Sequence, residues 1–261
     1  MSGPFPSGPT AELVFALARD GRTVLRVARV RSPLAFTRAF AAADDPLVAE
    51  AWLQSTTGGL HAGDDVSVRI VVEDGAVARV SPQAATVVLG VIAGRGARMT
   101  TELVVGEGAR LEWVPPATVL VPGARLDAST TVAVAGGGVV TMTDLYALHS
   151  PRPGVEEPAA RLFTEIEAVV GDRTAAVDRV SIDGAWTVAA HGSVWSVGTE
   201  PGELVDELLQ HGIAAGALPN RAGVAVRLAG TAGGVQDAAL RTVAAIRVGC
   251  RAAAPPARLP S

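Results

Sequence analysis

Turn-forming residues interrupt this chain of 261 residues so often that the β-prone runs between them are short. Asp20-Gly21 and Asp74-Gly75 each separate two such runs. Asp-Gly favours a hairpin, because both residues tolerate positive φ. Val66, Val68, Ile70 and Val72 alternate with more polar residues, as in a strand with one face in the core. The chain is therefore predicted to be mostly β.

A Gly-Ala pair stands before five β-prone runs, beginning at positions 75, 96, 108, 123 and 184. Gly can complete a turn, and the small Ala lets the next strand start close to its neighbour. Two interpretations remain open: ordinary hairpin starts, or stacked antiparallel ribbons of one large β-structure. The irregular spacing argues against a solenoid of fixed period.

Two helices are predicted near the end of the chain, at residues 203–211 and 234–248, because apolar residues recur there at helical spacing. Gly212 is a typical stop for the first helix. We therefore expect a large two-layered β-helix or sandwich-like structure of many antiparallel strands, with about two C-terminal helices. Residues 11–250 should form a single domain, between a flexible N-terminus at 1–10 and a flexible tail at 251–261.

Composition excludes several functional classes. All 22 basic residues are Arg, and the absence of Lys excludes a P-loop and Schiff-base chemistry. One Cys and four His exclude a disulfide framework and a Cys-rich zinc module. The formal charge of -4 argues against nucleic-acid binding. No apolar stretch approaches the roughly 18 residues of a membrane span, and no signal peptide is evident, so we expect a cytoplasmic protein.

The sequence has no enzyme signature, and we predict no catalytic residues. His191 and Ser193 are close in sequence, but that closeness does not make a nucleophile and its base. A hydrolase that uses these two residues, or His61 with Asp64, is the weakest of three functional hypotheses.

The most informative loop spans residues 56–65 and contains Gly58, Gly59 and Gly63, which indicate a tight backbone path. His61 and Asp64 lie in the same loop. Oxygen and imidazole ligands suit borderline cations such as Ni(II), so the pair is a candidate for transient metal contact. The alternative is a polar turn in which Asp64 caps backbone N–H groups.

Glu112 lies inside an apolar run, so it either faces a polar side or is buried and needs a partner. Arg110 and Arg125 are the nearby candidates for an ion pair, and a place in a polar conduit is the other interpretation. The neighbouring Trp113 is predicted to belong to the core.

Four segments occur in the order of a known family's motifs. They are an Arg- and Phe-containing run at 33–40, Gly-Gly-Leu-His-Ala-Gly-Asp at 58–64, Ser-Pro-Gln-Ala-Ala-Thr-Val at 81–87, and Gly-Ala-Arg-Leu-Glu-Trp-Val-Pro at 108–115. A second Gly-Ala-Arg follows at 123–125. Together they resemble the urease accessory protein family UreD, called UreH in some organisms, most closely over residues 32–135.

The chain also departs from the family pattern. Pro116 and Ala117 stand where Gln-Glu is usual, and Val87 replaces a common Lys. Arg152, Gly154 and Glu156 match the family's Gly-Arg-x-x-x-Gly-Glu segment only weakly. Arg in place of Lys and the Ala, Gly and Val bias fit a divergent, actinobacterial-type member.

The resemblance implies a nonenzymatic scaffold that joins UreF and the GTPase UreG, docks on apo-urease and helps to deliver nickel through a water-filled channel. It implies no tightly bound cofactor, and nickel only transiently. Asp64, His61 and Glu112 are then the candidate contacts along the nickel path. The alternative hypothesis is a β-rich protein-interaction module with no metal role.

Overall fold

In the described part of the chain, seventeen strands build two facing sheets, and two helices cover part of one of them. The structure, a computed structural model, describes residues 8–90, 94–149, 158–184 and 186–252. Outside the described residues lie Arg152, Gly154 and Glu156, Ala185 of the last Gly-Ala pair, and most of the two predicted flexible ends. Among the described residues, no helix combines the length and apolar character needed to cross a membrane.

The seven-stranded sheet has the spatial order β14 (Arg173–Asp183), β13 (Arg161–Val170), β11 (Arg125–Val134), β8 (Ala97–Val105), β5 (Asp65–Val72), β1 (Ala11–Leu17) and β2 (Thr23–Val30). The ten-stranded sheet has the order β16 (Ala215–Ala217), β17 (Gly223–Gly230), β15 (Ala190–Val197), β12 (Val139–Leu148), β9 (Arg110–Trp113), β6 (Val77–Pro82), β4 (Asp45–Ser55) and β3 (Leu34–Ala42). Two short strands extend it, β10 (Thr118–Leu120) beside β12 and β7 (Val87–Val88) beside β10.

The chain crosses repeatedly from one sheet to the other, which produces a solenoid-like, two-layered structure. Strands β5, β8, β11 and β13 are therefore parallel neighbours in one sheet, as are β4, β6, β9 and β12 in the other. Antiparallel pairs close the ends of the sheets, as in β1 with β2 and β13 with β14. The predicted mostly β, two-layered fold is confirmed, but its inner strands pair in parallel rather than antiparallel.

The two Asp-Gly turns have different outcomes. Asp20-Gly21 joins the antiparallel strands β1 and β2, so the predicted hairpin is confirmed. Asp74-Gly75 does not form a hairpin, because it carries the chain from β5 in one sheet to β6 in the other. The Gly75 N–H donates to the Glu107 carbonyl at 2.9 Å, so this turn stacks on the turn of the next coil. Ala76 is fully buried beneath it.

Helices α1 (Gly202–Gln210) and α2 (Ala232–Ala252) pack on the outer face of the ten-stranded sheet, and a 3-10 turn spans Pro219–Arg221. The sequence predicted both helices. α1 buries Leu204 and Leu208 but leaves Leu209 51% exposed, so the buried stripe is narrower than the apolar pattern. Gly212 ends this helix with a φ of 71°.

Trp113 lies in the main core between the sheets, as predicted.

Candidate functional site

A cavity of about 300 Å³ lies between the two sheets. Alternation along β12 points Met142, Asp144 and Tyr146 towards the seven-stranded sheet, while Leu145 and Ala147 face the helices. The lining is largely apolar, and its polar side chains include Gln83, Thr101, Thr130, Asp144 and Tyr146. The cavity therefore combines a largely apolar wall with a few polar side chains that carry oxygen atoms. This combination is typical of a ligand site.

Asp144 is the acidic group of this cavity. One carboxylate oxygen accepts a hydrogen bond from the Tyr146 hydroxyl at 2.8 Å, and the other accepts one from the Thr164 hydroxyl at 3.2 Å. Burial raises the pKa of Asp144 from 3.8 to about 6, although these two hydrogen bonds oppose the rise. Burial, followed by the nearby Asp144 charge, raises the pKa of Tyr146, so its hydroxyl stays a donor.

A polar row connects Asp144 with the edge of the molecule. Strand register places Ser193 beside Asp144 and Arg227 beside Ser193, all on the inner face of the ten-stranded sheet. The Arg227 guanidinium then reaches Asp178 of the opposite sheet, with a distance of 2.5 Å between Nη2 and Oδ1. Arg227 is about half exposed, so this ion pair lies where the space between the sheets opens to solvent. We call Asp144, Ser193, Arg227 and Asp178 the polar lane.

The predicted loop lies beside the cavity, and its three glycines are required for two structural reasons. Gly58 and Gly63 have φ values of 70° and 82°, which L side chains rarely adopt. Gly59 passes so close to β7 that a Cβ would lie 2.7 Å from the Val87 carbonyl oxygen. Gly58 and Gly59 line the cavity together with Leu60.

His61 and Asp64 form a closed turn in this loop. The Asp64 carboxylate accepts the His61 backbone N–H at 2.7 Å, and the Asp64 N–H donates to the His61 carbonyl at 3.1 Å. This geometry matches the capping alternative for Asp64. His61 is exposed, and neither residue is part of the cavity lining.

Glu112 lies on the outer face of the ten-stranded sheet, away from the cavity. Its carboxylate binds Arg247 of α2 in a bidentate pair, with distances of 2.8 Å and 2.5 Å, and Arg79 lies 3.6 Å away. Glu112 therefore forms ion pairs, as one of the two interpretations held. Its partners are Arg247 and Arg79 rather than Arg110 or Arg125. The sequence could not reveal Arg247, because it is 135 residues away.

The three predicted metal contacts do not line one common cavity. Across the parts of the chain that the structure describes, no three His, Cys, Asp or Glu side chains converge as a metal site. Nor does His191 form a catalytic pair: its Nε2 has no hydrogen-bond partner in the described part of the chain, and Ser193 accepts from Trp195 instead.

Sequence reasoning missed Asp144, Tyr146 and Thr164. One signal was available, because Asp144 interrupts the apolar run of β12 in the same alternation phase as Met142 and Tyr146. Its partner Thr164 is on another sheet and had no local signal.

Replacing Glu112 with Gln is expected to lower the free energy of unfolding by roughly 1 to 2 kcal/mol, because two charge-assisted hydrogen bonds to Arg247 are weakened. Urea unfolding at pH 7 measures this loss. Glu102→Gln is the matched control, since Glu102 pairs with Arg69 but is 46% exposed, and its loss should stay below about 0.5 kcal/mol. Equal losses in both variants would contradict an anchoring role for the Glu112–Arg247 pair.

A sequence model of the family described as UreD urease accessory protein matches residues 8–260. The urease accessory protein UreD 1 of Methylorubrum populi is 33% identical, over 93% of this chain and 88% of its own. The urease accessory protein UreD of Mycolicibacterium smegmatis is 34% identical, over 90% of this chain and 89% of its own. The similarity thus extends over nearly the whole chain.

Proposed function

Because the chain belongs to the UreD family of urease accessory proteins, with a role in urease maturation, we propose that it is a nonenzymatic cytoplasmic scaffold that delivers nickel. In this proposal it binds apo-urease together with UreF and the GTPase UreG, and Ni²⁺ is its cargo. The observation that carries the nickel role is the partly buried Asp144, which lines the cavity and forms the inner end of the polar lane.

The residues of the lane suit a transient contact. With a pKa of about 6, Asp144 is mostly ionised at pH 7 and supplies one negative charge to the interior. The hydroxyl groups of Tyr146 and Thr164 surround it. One carboxylate among neutral oxygens binds a borderline cation more weakly than a cluster of thiolate or imidazole ligands, so an ion can enter and leave. Asp178 offers a second carboxylate at the sheet edge.

Reconstitution tests the proposed function directly. Apo-urease, UreF, UreG, GTP and Ni²⁺ are incubated with or without this chain, and urease activity and bound nickel per active site are measured. The proposal requires both readouts to rise when the chain is added. If the chain associates with apo-urease but bound nickel does not change, the result contradicts nickel delivery and is consistent with another role in maturation.

Asp64, His61 and Glu112 remain sequence-based predictions for the nickel path, and Asp64 can be tested with two variants. Asp64→Ala should destabilise the fold by about 1 kcal/mol, because the His61 N–H loses its acceptor. Asp64→Asn keeps an oxygen acceptor and removes the charge. If Asp64 contacts nickel, Asp64→Asn lowers urease activation at unchanged stability. Full activation by Asp64→Asn would remove this residue from the path.

The second candidate function is a protein-interaction module with no metal role. It is favoured by an exposed aromatic pair, Phe40 and Trp52, at 37% and 44% exposure, with ring centroids 5.7 Å apart. The Arg38 guanidinium lies 4.6 Å from the centre of the Phe40 ring. Exposed aromatic and Arg side chains are typical of protein interfaces. This candidate predicts that substitutions in the polar lane leave urease activation unchanged.

A further inference from the structure

A groove of about 280 Å³ crosses the outer face of the ten-stranded sheet, on the opposite side from the cavity. Strands β6, β9 and β12 contribute its floor, and Arg247 of α2 borders one side. The start of β4 and the β1–β2 hairpin of the seven-stranded sheet, with Leu17, complete the lining. The helices cover β12, β15 and β17, so the floor over β6 and β9 stays open. The groove is separate from the cavity and from the polar lane.

The charged part of the groove contains three guanidinium groups, and one of them has no partner among the described residues. Arg79 pairs with Asp44, and Arg247 pairs with Glu112. Arg110 lies in the same groove and is partly buried, yet no described residue gives its side chain a hydrogen bond or ion pair. A partly desolvated guanidinium gains most from a carboxylate, which it can bind through two parallel hydrogen bonds.

The other part of the groove is apolar and exposed. Leu17 and Leu47 line it at 50% and 51% exposure, next to Val48 and Val77. Two strand spacings separate β4 from β9, which is about 10 Å. An extended segment covers that distance in about three residues. One side chain cannot occupy both parts, whereas a short segment of polypeptide can.

We propose that this groove docks a segment of a partner protein in which an acidic side chain binds Arg110 and an apolar side chain about three residues away packs on Leu17 and Leu47. Charge complementarity selects an acidic side chain at the Arg110 end of the groove, while the Asp45 carboxylate lies on β4 beside Leu47, where it accepts the Leu47 N–H at 3.1 Å. The proposal rests on the proposed function in one respect, namely that the chain acts through protein partners. The proposal assigns to Arg110 and Leu47 a role in binding a partner protein, and this role does not involve the cavity between the sheets.

Site-specific cross-linking tests the groove. Leu47 is replaced with photoreactive benzoylphenylalanine in the full chain, which is co-expressed with urease, UreF and UreG and then irradiated. We expect a cross-link to one partner segment with Asp or Glu within four residues of an apolar residue. The yield should fall at least fivefold in Arg110→Gln and recover in Arg110→Lys. Arg98→Gln, an exposed arginine of the other sheet, is the matched control and should change nothing.

Several results would overturn the docking proposal: no cross-link from position 47, a cross-linked segment without an acidic residue, equal yields with Arg110→Gln, or a cross-link to a second copy or to residues 253–261 of the same chain. Copurification before irradiation separates this failure from failure of the proposed function. If the complex with urease forms but the cross-link does not depend on Arg110, only the groove assignment fails. If no complex forms, both fail.

Discussion

Asp144→Asn is expected to stabilise the folded chain at pH 8 by up to about 3 kcal/mol while lowering the nickel content of urease. The native pKa of Asp144 is about 6 against an ordinary 3.8, and each pKa unit corresponds to about 1.36 kcal/mol. The native state holds this proton more tightly than the unfolded state. The stability that this tighter proton binding contributes is therefore complete below pH 4 and is lost as pH rises through 6. Asn has no charge to bury, so the variant avoids this loss.

Urea unfolding of both proteins between pH 4 and pH 8 checks the stability prediction. The stability difference should be small near pH 4, grow through pH 6 and level off above pH 7. Asp127→Asn, in an exposed position on the seven-stranded sheet, should follow the wild type at every pH. A difference that does not depend on pH would contradict burial of an ionised Asp144.

The same variant tests the functional role of the polar lane. Asn keeps the oxygen acceptor for one hydroxyl group, so a reduced nickel content in reconstituted urease would follow from the lost charge rather than from unfolding. A more stable protein that activates urease less well is the pattern expected of a functional group retained at the expense of stability. Unchanged activation would favour the interaction module without a metal role.

Gly192→Ala is expected to destabilise the chain by roughly 3 kcal/mol. Gly192 of β15 faces Leu145 of β12, and a Cβ there would lie 2.2 Å from the Asp144 carbonyl oxygen and 2.7 Å from the Leu145 Cα. Backbone atoms of a central strand cannot move aside singly, so the two strands must separate. Because this clash also displaces Asp144, nickel transfer should fall together with stability.

Thermal unfolding measures this effect, and Gly233→Ala is the matched control. Gly233 lies in α2 with no atom within 4 Å of an added Cβ, so its replacement should leave stability unchanged or raise it by up to about 1 kcal/mol. A Gly192→Ala variant as stable as this control would contradict the close packing of β12 against β15.

Local patterns predicted much of the fold. Alternation in β5, the apolar faces of α1 and α2 and the Asp20-Gly21 hairpin depend on neighbours within a few residues, so the sequence reveals them. Asp74-Gly75 has the same local signature as Asp20-Gly21 and nevertheless joins different sheets. An Asp-Gly turn sets the direction of the backbone, whereas the strand available for pairing depends on the path of the whole chain.

The sequence by itself determined that the chain is mostly β, that Gly58, Gly59 and Gly63 mark a tight loop, and that its motifs resemble UreD. The tertiary structure alone decided that Glu112 binds Arg247 and that Asp144 is the acidic side chain of the cavity. The physical reason is that strand period and turn geometry are local properties of the backbone. The burial and charge environment of a carboxylate is set by side chains from distant strands, and these meet only when both sheets have formed.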